Sequence, residues 1–350
     1  MIDATQTPHD HRGAFVLRLW SDQRVWLIAA AILVFVSLAD PPQGGASLGF
    51  VATALVTTAP YLLLSIGLAS YASATGADGL IARAFVGAPI EMIFAAAFFG
   101  GLSPFCSCGV IPLIAGLLVM GVPLSAVMAF WLASPVIDPA MFALTAGVLG
   151  VEFAIAKTVA AVGLGVSGGL ITLALTRNGA FADPLREGVG SGGCGASVVR
   201  TPKRPVWAFW NETDRRAKFM REAAKTTLFL AKWLTLAFLL ESMMIAYVPA
   251  DLVAQAVGGD GISAIFTATL VGVPAYLNGY AALPLVSGLV EQGMAPGAGL
   301  AFLVAGGVTS LPAAIAVWAL AKRPVFFLYV AFALSGSMVS GLLFQVWIGA

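Results

Sequence analysis

The sequence predicts an all-α integral membrane protein. It should be an inverted-repeat transporter of about 8–10 membrane segments, with two re-entrant hairpins and broken helices. Three observations predict this. Of 350 residues, 59% are hydrophobic and 10% charged, with a mean hydropathy of +0.94; soluble domains carry about 25% charged residues. Long apolar runs are punctuated by many of the 39 glycines and 19 prolines, as happens where helices pack closely or break inside a bilayer. Finally, the chain repeats its own letters at a spacing of 172 residues. The net charge of +1 excludes a basic nucleic-acid binder. Three cysteines and two histidines exclude a disulfide framework and leave little for a zinc site.

The elements follow in order. Residues 1–24 are polar, with His9, His11, Arg12, Arg18 and Arg24, and form a cytoplasmic N-terminal segment. The run Val25–Leu38 has no small-residue cleavage site after it and reads as an uncleaved first span. The first membrane half, 25–176, continues with apolar segments 49–72, 88–120, 123–149 and 152–176. Residues 177–225 hold ten of the eighteen basic residues and runs of Gly, Ser and Pro. They form a flexible linker, and the Lys/Arg content predicts a cytoplasmic position. The second half, 226–350, has segments 226–248, 261–290, 295–320 and 324–348.

Segment 88–120 would make a straight helix of about 50 Å, too long for a ~30 Å core. It is interrupted at Gly100-Gly101, Pro104, Gly109 and Pro112. A re-entrant hairpin with its tip at Pro104–Gly109 accommodates the length. Segment 261–290 has the same form, with breaks expected at Gly272, Pro274, Gly279 and Pro284. Segments 123–149 and 295–320 are long enough to cross but carry mid-span interruptions. These are Ser134-Pro135-Val136-Ile137-Asp138-Pro139 in one, and Gly306-Gly307 and Pro312 in the other.

Shifting the chain by 172 aligns Pro112, Leu113, Gly116, Leu117, Gly121, Ala126, Ala129, Phe130 and Ala133 with identical residues from Pro284 to Ala305. Nine identities in 22 columns mark an internal repeat. With the N-terminus inside and both hairpins non-crossing, the halves are inverted. Sixteen of eighteen Lys/Arg then fall inside, Lys157 falls outside, and Lys232 sits in a span.

Candidate chemistry begins at Cys106-Ser107-Cys108, at the expected hairpin tip. Two thiols one residue apart can chelate one soft ion or metalloid, although a buried cysteine also packs as a small hydrophobe. Asp138 is a mid-span carboxylate between two prolines. It reads as a proton carrier, as a cation ligand, or as the cap of the half-helix resuming at Pro139. Glu241 lies mid-span in 226–248 and is a second candidate for ion or proton coupling. Asn278 and Tyr280 align with Cys106 and Cys108 under the shift, so the second tip should face the first. Ser134 belongs to the site through its break. Glu91 and Lys157 are expected to be solvated at membrane edges. Cys194 reads as an incidental loop thiol. Gly163, Gly165, Gly168 and Gly169 read as a packing face, since no Gly-Lys-Ser/Thr ending completes a phosphate loop. No ATPase motif appears, and no cofactor is implied. The expected partners are the lipid bilayer and a small thiol-reactive solute; a homo-oligomer stays open.

The run Ser103-Pro104-Phe105-Cys106-Ser107-Cys108-Gly109-Val110-Ile111-Pro112-Leu113, together with Ala133–Pro139, resembles the bacterial predicted-permease family that includes the ArsP organoarsenical efflux permeases. Ala282-Leu283-Pro284-Leu285 and Gly293–Ala298 add to the resemblance, which spans roughly 50–345. It implies a non-enzymatic efflux permease of the cell inner membrane, exporting trivalent organoarsenicals in arsenic resistance. Asp138 departs from this pattern, standing where relatives often carry Asn. A monosubstituted As(III) has two exchangeable ligands and matches two thiols. Three other readings compete: a permease for another soft metal species or small metabolite, an intramembrane dithiol redox enzyme, and a passive membrane subunit.

Overall fold

The computed structural model describes residues 11–76, 89–103, 107, 109–177, 181, 183–186, 206–247, 257, 261–275 and 279–349. The described residues form helices and connecting turns, with no strand beyond one isolated bridge between Leu185 and Ala321. The helices are α1 (His11–Ala39), α2 (Pro41–Thr75), α3 (Pro89–Leu102), α4 (Val110–Val119), α5 (Leu124–Ala133), α6 (Pro139–Leu149) and α7 (Val151–Arg177), then α8 (Thr213–Tyr247), α9 (Ile262–Ala275), α10 (Gly279–Glu291), α11 (Pro296–Val308), α12 (Leu311–Leu320) and α13 (Arg323–Gly349).

Four stretches are long and apolar enough to cross a membrane: α7, α8, α11 with α12, and α13. A fifth is α2, bent by 43° next to Pro60, where proline removes a helical hydrogen bond. Apolar side chains cover the lipid-facing surface, among them Phe35, Val56, Phe99, Val159, Leu343 and Val346. The protein is an all-α membrane protein.

Helix boundaries recur at the 172-residue spacing. The bounds of α2 shifted by 172 are those of α8, and those of α7 are those of α13. The helix pairs α3–α4 and α5–α6 recur as α9–α10 and α11–α12. Packing recurs with them. A Cβ on Gly100 would stand 2.8 Å from the Phe130 carbonyl oxygen, and one on Gly272 would stand 2.8 Å from that of Phe302. Gly169 meets Ile93, Ala129 and Ser125, as Gly341 meets Ile265, Ala301 and Gly297. Gly121 and Gly293 take left-handed φ values of 86° and 103°, a conformation that costs an L side chain but not glycine. Each closes its turn with the same bond: Val122 N donates to Leu117 O, and Met294 N to Leu289 O.

Several breaks fall elsewhere than expected. Gly100-Gly101 and Gly272 lie inside helices, where Gly100 and Gly272 allow close approach to α5 and α11 and Gly101 faces Val162 of α7. Pro274 and Pro284 also lie inside helices, and α11 runs through Gly306-Gly307 to Val308. A small residue in an apolar helix thus marks a packing contact as readily as a break. In α7, Gly165, Gly168 and Gly169 pack against α5, whereas Gly163 faces open space.

The last stretch of the linker is structured. α8 starts at Thr213, and its first turns hold the end of α2. Arg215 Nη1 donates to the carbonyls of Ala74 and Thr75, at 2.9 and 3.1 Å, and Lys218 Nζ to that of Ser73, at 2.8 Å. Cations at a helix C-terminus satisfy its orphan carbonyls and oppose its dipole.

Candidate transport site

Three irregular segments meet through serine contacts. The first separates α5 from α6. Ser134 N still donates to Phe130 O, at 3.0 Å, and the chain then leaves the helix until Asp138. Asp138 is extended and caps α6: its Oδ1 accepts from Ala140 N at 2.8 Å and Met141 N at 2.9 Å. Pro139 follows at the first helical position, where its missing N–H costs nothing. The capping role of Asp138 is therefore realised, and its Oδ2 has no hydrogen-bond partner among the described residues.

The second irregular segment is Thr309-Ser310, between α11 and α12. Ser310 occupies the capping position without a side-chain cap bond. Thr309 Oγ1 is buried with no hydrogen-bond partner among the described residues. The third is the connection between α3 and α4. Ser103 Oγ donates to Gly100 O at 2.7 Å and lies 2.7 Å from Ser134 Oγ. Ser107 Oγ lies 3.3 Å from Ser310 Oγ. One connection thus touches both mid-helix breaks, through Ser103 in its own half and Ser107 in the other.

The other candidates divide. Cys106, Cys108, Asn278 and Cys194 lie outside the described residues. Tyr280 is the second residue of α10, and its side chain lies outside the description. Glu241 is buried in α8 and makes no ion pair with Lys232, which instead stands over the Phe229 ring at 5.8 Å. Glu91, in the first turn of α3, is exposed.

Lys157 overturns its expectation. It is not solvated at a membrane edge but fully buried, and its Nζ has no hydrogen-bond partner among the described residues. It extends the face of α7 that packs on α5, four residues at a time: Lys157, Ala161, Gly165, Gly169. Gly165 meets Ala129 and Ala133, so two turns further back Lys157 reaches the level of the Ser134–Asp138 break. Asp138 ends that break and is the charged residue at its level. The spacing by fours was legible in the sequence, but a lysine seven residues into an apolar helix reads first as snorkelling. Its counterpart under the shift is Tyr329, also buried. The Tyr329 hydroxyl donates to Val308 O, at the end of α11, and its ring stacks on Trp131 of α5, with centroids 4.7 Å apart.

A cavity of about 610 Å³ runs along α4, from Met120 at its end to Ile111 and Pro112 near its start. Apolar residues of α4 share its lining with Ser70, Ser73 and four charged side chains, Arg186 and, on α8, Glu222, Lys225 and Lys232. Its deep end stands two residues from Gly109. No group of three or more His, Cys, Asp or Glu gathers among the described residues.

Comparison with known proteins agrees with a transport role. Two curated relatives share segments with the chain. The UPF0718 protein YcgR of Bacillus subtilis is 34% identical over 85 residues, 24% of this chain and 29% of its own length. The UPF0718 protein MJ0584 of Methanocaldococcus jannaschii is 26% identical over 108 residues, 31% of this chain and 30% of its own. The chain thus spans under a third of each relative's length. No solved structure matches it. Across residues 45–346, nearly the whole of the helical core described above, the sequence matches the ArsP_1 family of predicted permeases, and the chain belongs to that family.

Proposed function

We propose that this permease exports a soft, thiol-reactive solute, foremost trivalent organoarsenicals, by alternating access around Cys106-Ser107-Cys108. The site is completed by Ser134, Asp138, Asn278 and Tyr280. The observation that carries the reading is the 3.3 Å approach of Ser107 to Ser310. Ser107 is the residue between the two thiols, and Ser310 belongs to the break of the opposite half. A site formed where two halves meet can change its access when they move against each other.

The recurring helix boundaries support the inverted-repeat part. If the α3–α4 and α9–α10 hairpins enter and leave on one side, α1 crosses once, each repeat (α2–α7 and α8–α13) crosses three times, and the second repeat starts from the face opposite the first. The N-terminus and the 177–225 loop are then cytoplasmic, in a bacterial inner membrane. The cavity along α4, lined by Lys225 and Arg186 near the linker, supports an inward path on that side.

Soft thiolate ligands suit As(III), and two of them match its two exchangeable positions in a monosubstituted arsenical. Phenylarsine oxide binding to the protein in nanodiscs tests this under reducing conditions. One equivalent should bind to wild type and to Cys194→Ser, and be lost in Cys106→Ser and in Cys108→Ser. Binding that survives both tip substitutions would sink the chelation site. Competition by Hg(II) or Cu(I) on the same panel reports whether the site discriminates among soft partners.

A further inference from the structure

The reading above leaves the buried Lys157 without a task. Lys157 is fully buried in α7, and its Nζ has neither a hydrogen bond nor an ion pair among the described residues. Asp138, at the level of the same break, has one carboxylate oxygen free of hydrogen bonds from them. An ammonium in such surroundings is costly unless an anion meets it or the amine is neutral. Two arrangements therefore satisfy the site: an open pair with a neutral amine, or a closed pair with a protonated one. Which holds depends on the shape of the Ser134–Asp138 break, because that break positions Asp138. Protonation and the geometry of the break are thereby linked.

We propose that Lys157, with Asp138 as its counter-charge, is the proton-carrying group of the transport cycle. The inference rests on the transport cycle proposed above. In the outward-open state a hydronium gives its proton to the neutral amine: one N–H bond forms at Nζ, water is released, and the ammonium closes on Asp138 Oδ2. In the inward-open state the pair opens and water takes the proton back. No electrons move.

The rest of the surroundings leaves the role to these two groups. The described elements packed against α7 are α3, α5, α6, α11 and α13. Besides Asp138, the charged or titratable groups on them and on α7 are Glu91, Glu152, Arg177, Arg323 and Tyr329. Glu91 lies beside the far end of α7, since Ile93 meets Gly169. Glu152 is bonded by Trp347 Nε1 at 2.8 Å. Arg177 and Arg323 are at helix ends, and the Tyr329 hydroxyl is spent on Val308 O. That last contact is the telling one: at the matching position of the other half, the tyrosine hydroxyl donates to the end of α11, whereas the lysine here makes no such bond.

Two measurements test the proposal. The first needs no solute. Melting temperatures in nanodiscs are measured for wild type, Lys157→Met, Asp138→Asn and the double variant, at pH 6 and pH 9. Asn keeps the cap of α6, so the substitution isolates the charge. At pH 6, Asp138→Asn should lower the melting temperature by several degrees in the wild-type background, and by less than one degree in the Lys157→Met background. At pH 9 the two shifts should converge. Equal shifts at pH 6 would show that the groups do not pair. Coupling that persists unchanged at pH 9 would show that no proton is exchanged. Either result overturns the proposal.

The second measurement follows phenylarsine oxide in proteoliposomes with an imposed pH gradient. The gradient should change the wild-type rate at least fivefold. Lys157→Met should keep downhill movement without that response, and Lys157→Arg, permanently charged, should bind the probe but turn over slowly. A gradient response intact in Lys157→Met overturns the proposal. If wild type moves no phenylarsine oxide, the organoarsenical reading falls, and the melting cycle alone decides the role of Lys157.

Discussion

The two mid-helix breaks occupy matching positions in the two halves and are finished differently. Between α5 and α6 the chain is capped by Asp138 and flanked by Lys157, which has no hydrogen bond among the described residues. Between α11 and α12 the matching positions hold Ser310, which makes no cap bond, and Tyr329, whose hydroxyl is bound to Val308 O. The polar backbone of each break must be satisfied, because lipid supplies no hydrogen bonds. The second half does so with a neutral aromatic hydroxyl held in place by Trp131. The first half does so with a charge, and keeps another charge in reserve. One scaffold thus carries a break closed by a neutral hydroxyl and a break flanked by two ionisable side chains.

The comparison breaks most severely where both halves depend on the same packing. Gly169→Leu and Gly341→Leu force a side chain into backbone and side-chain atoms about 3 Å away. Each should cost about 3 kcal/mol or more and sharply reduce folded protein in detergent, seen by size-exclusion chromatography of a fluorescent fusion. Equal losses would show that the two glycine contacts are equivalent in energy as well as geometry.

Next comes the contrast between the counterparts. Tyr329→Phe leaves the buried Val308 carbonyl without its donor and should destabilise by about 1–2 kcal/mol. Lys157→Met loses no hydrogen bond and should leave the melting temperature at pH 9 unchanged or raised. Similar losses in both variants would mean that the two breaks are equally dependent on these side chains.

The smallest effect separates the caps. At pH 9, where the proposed pair with Lys157 is open, Asp138→Ala removes both bonds to the start of α6 and should cost about 1 kcal/mol. Ser310→Ala removes one 3.3 Å contact to Ser107 and no cap bond, so its cost should stay within about 0.5 kcal/mol. Thermal melts of the two single variants read the difference.

Much of the architecture was legible from the letters. Hydropathy is a property of a local window, so the spans stood out, and the repeat appeared as shared prolines and glycines. The capping role of Asp138 was legible too, because a carboxylate directly before Pro139 is a local signal. The ends of the helices were less so. α8 begins at Thr213, well inside a stretch that reads as polar linker, because its first turns are held by the end of α2 rather than by their own hydropathy. Glycine misled in the other direction, since Gly272 and Gly306-Gly307 lie within helices rather than at breaks, and Gly272 serves a helix contact.

The sequence by itself determined that this is a helical membrane protein of repeated halves with a break at Ser134–Asp138, because apolar length and backbone chemistry act within a few residues; it set the second break at Gly306-Gly307 and Pro312, and the structure moved it to Thr309-Ser310. Only the tertiary structure decided that Ser107 meets Ser310, that Tyr329 binds a break while Lys157 does not, and that Lys157 is buried at all. Each of those depends on which face of a helix its neighbours cover, and that is fixed by partners far away along the chain.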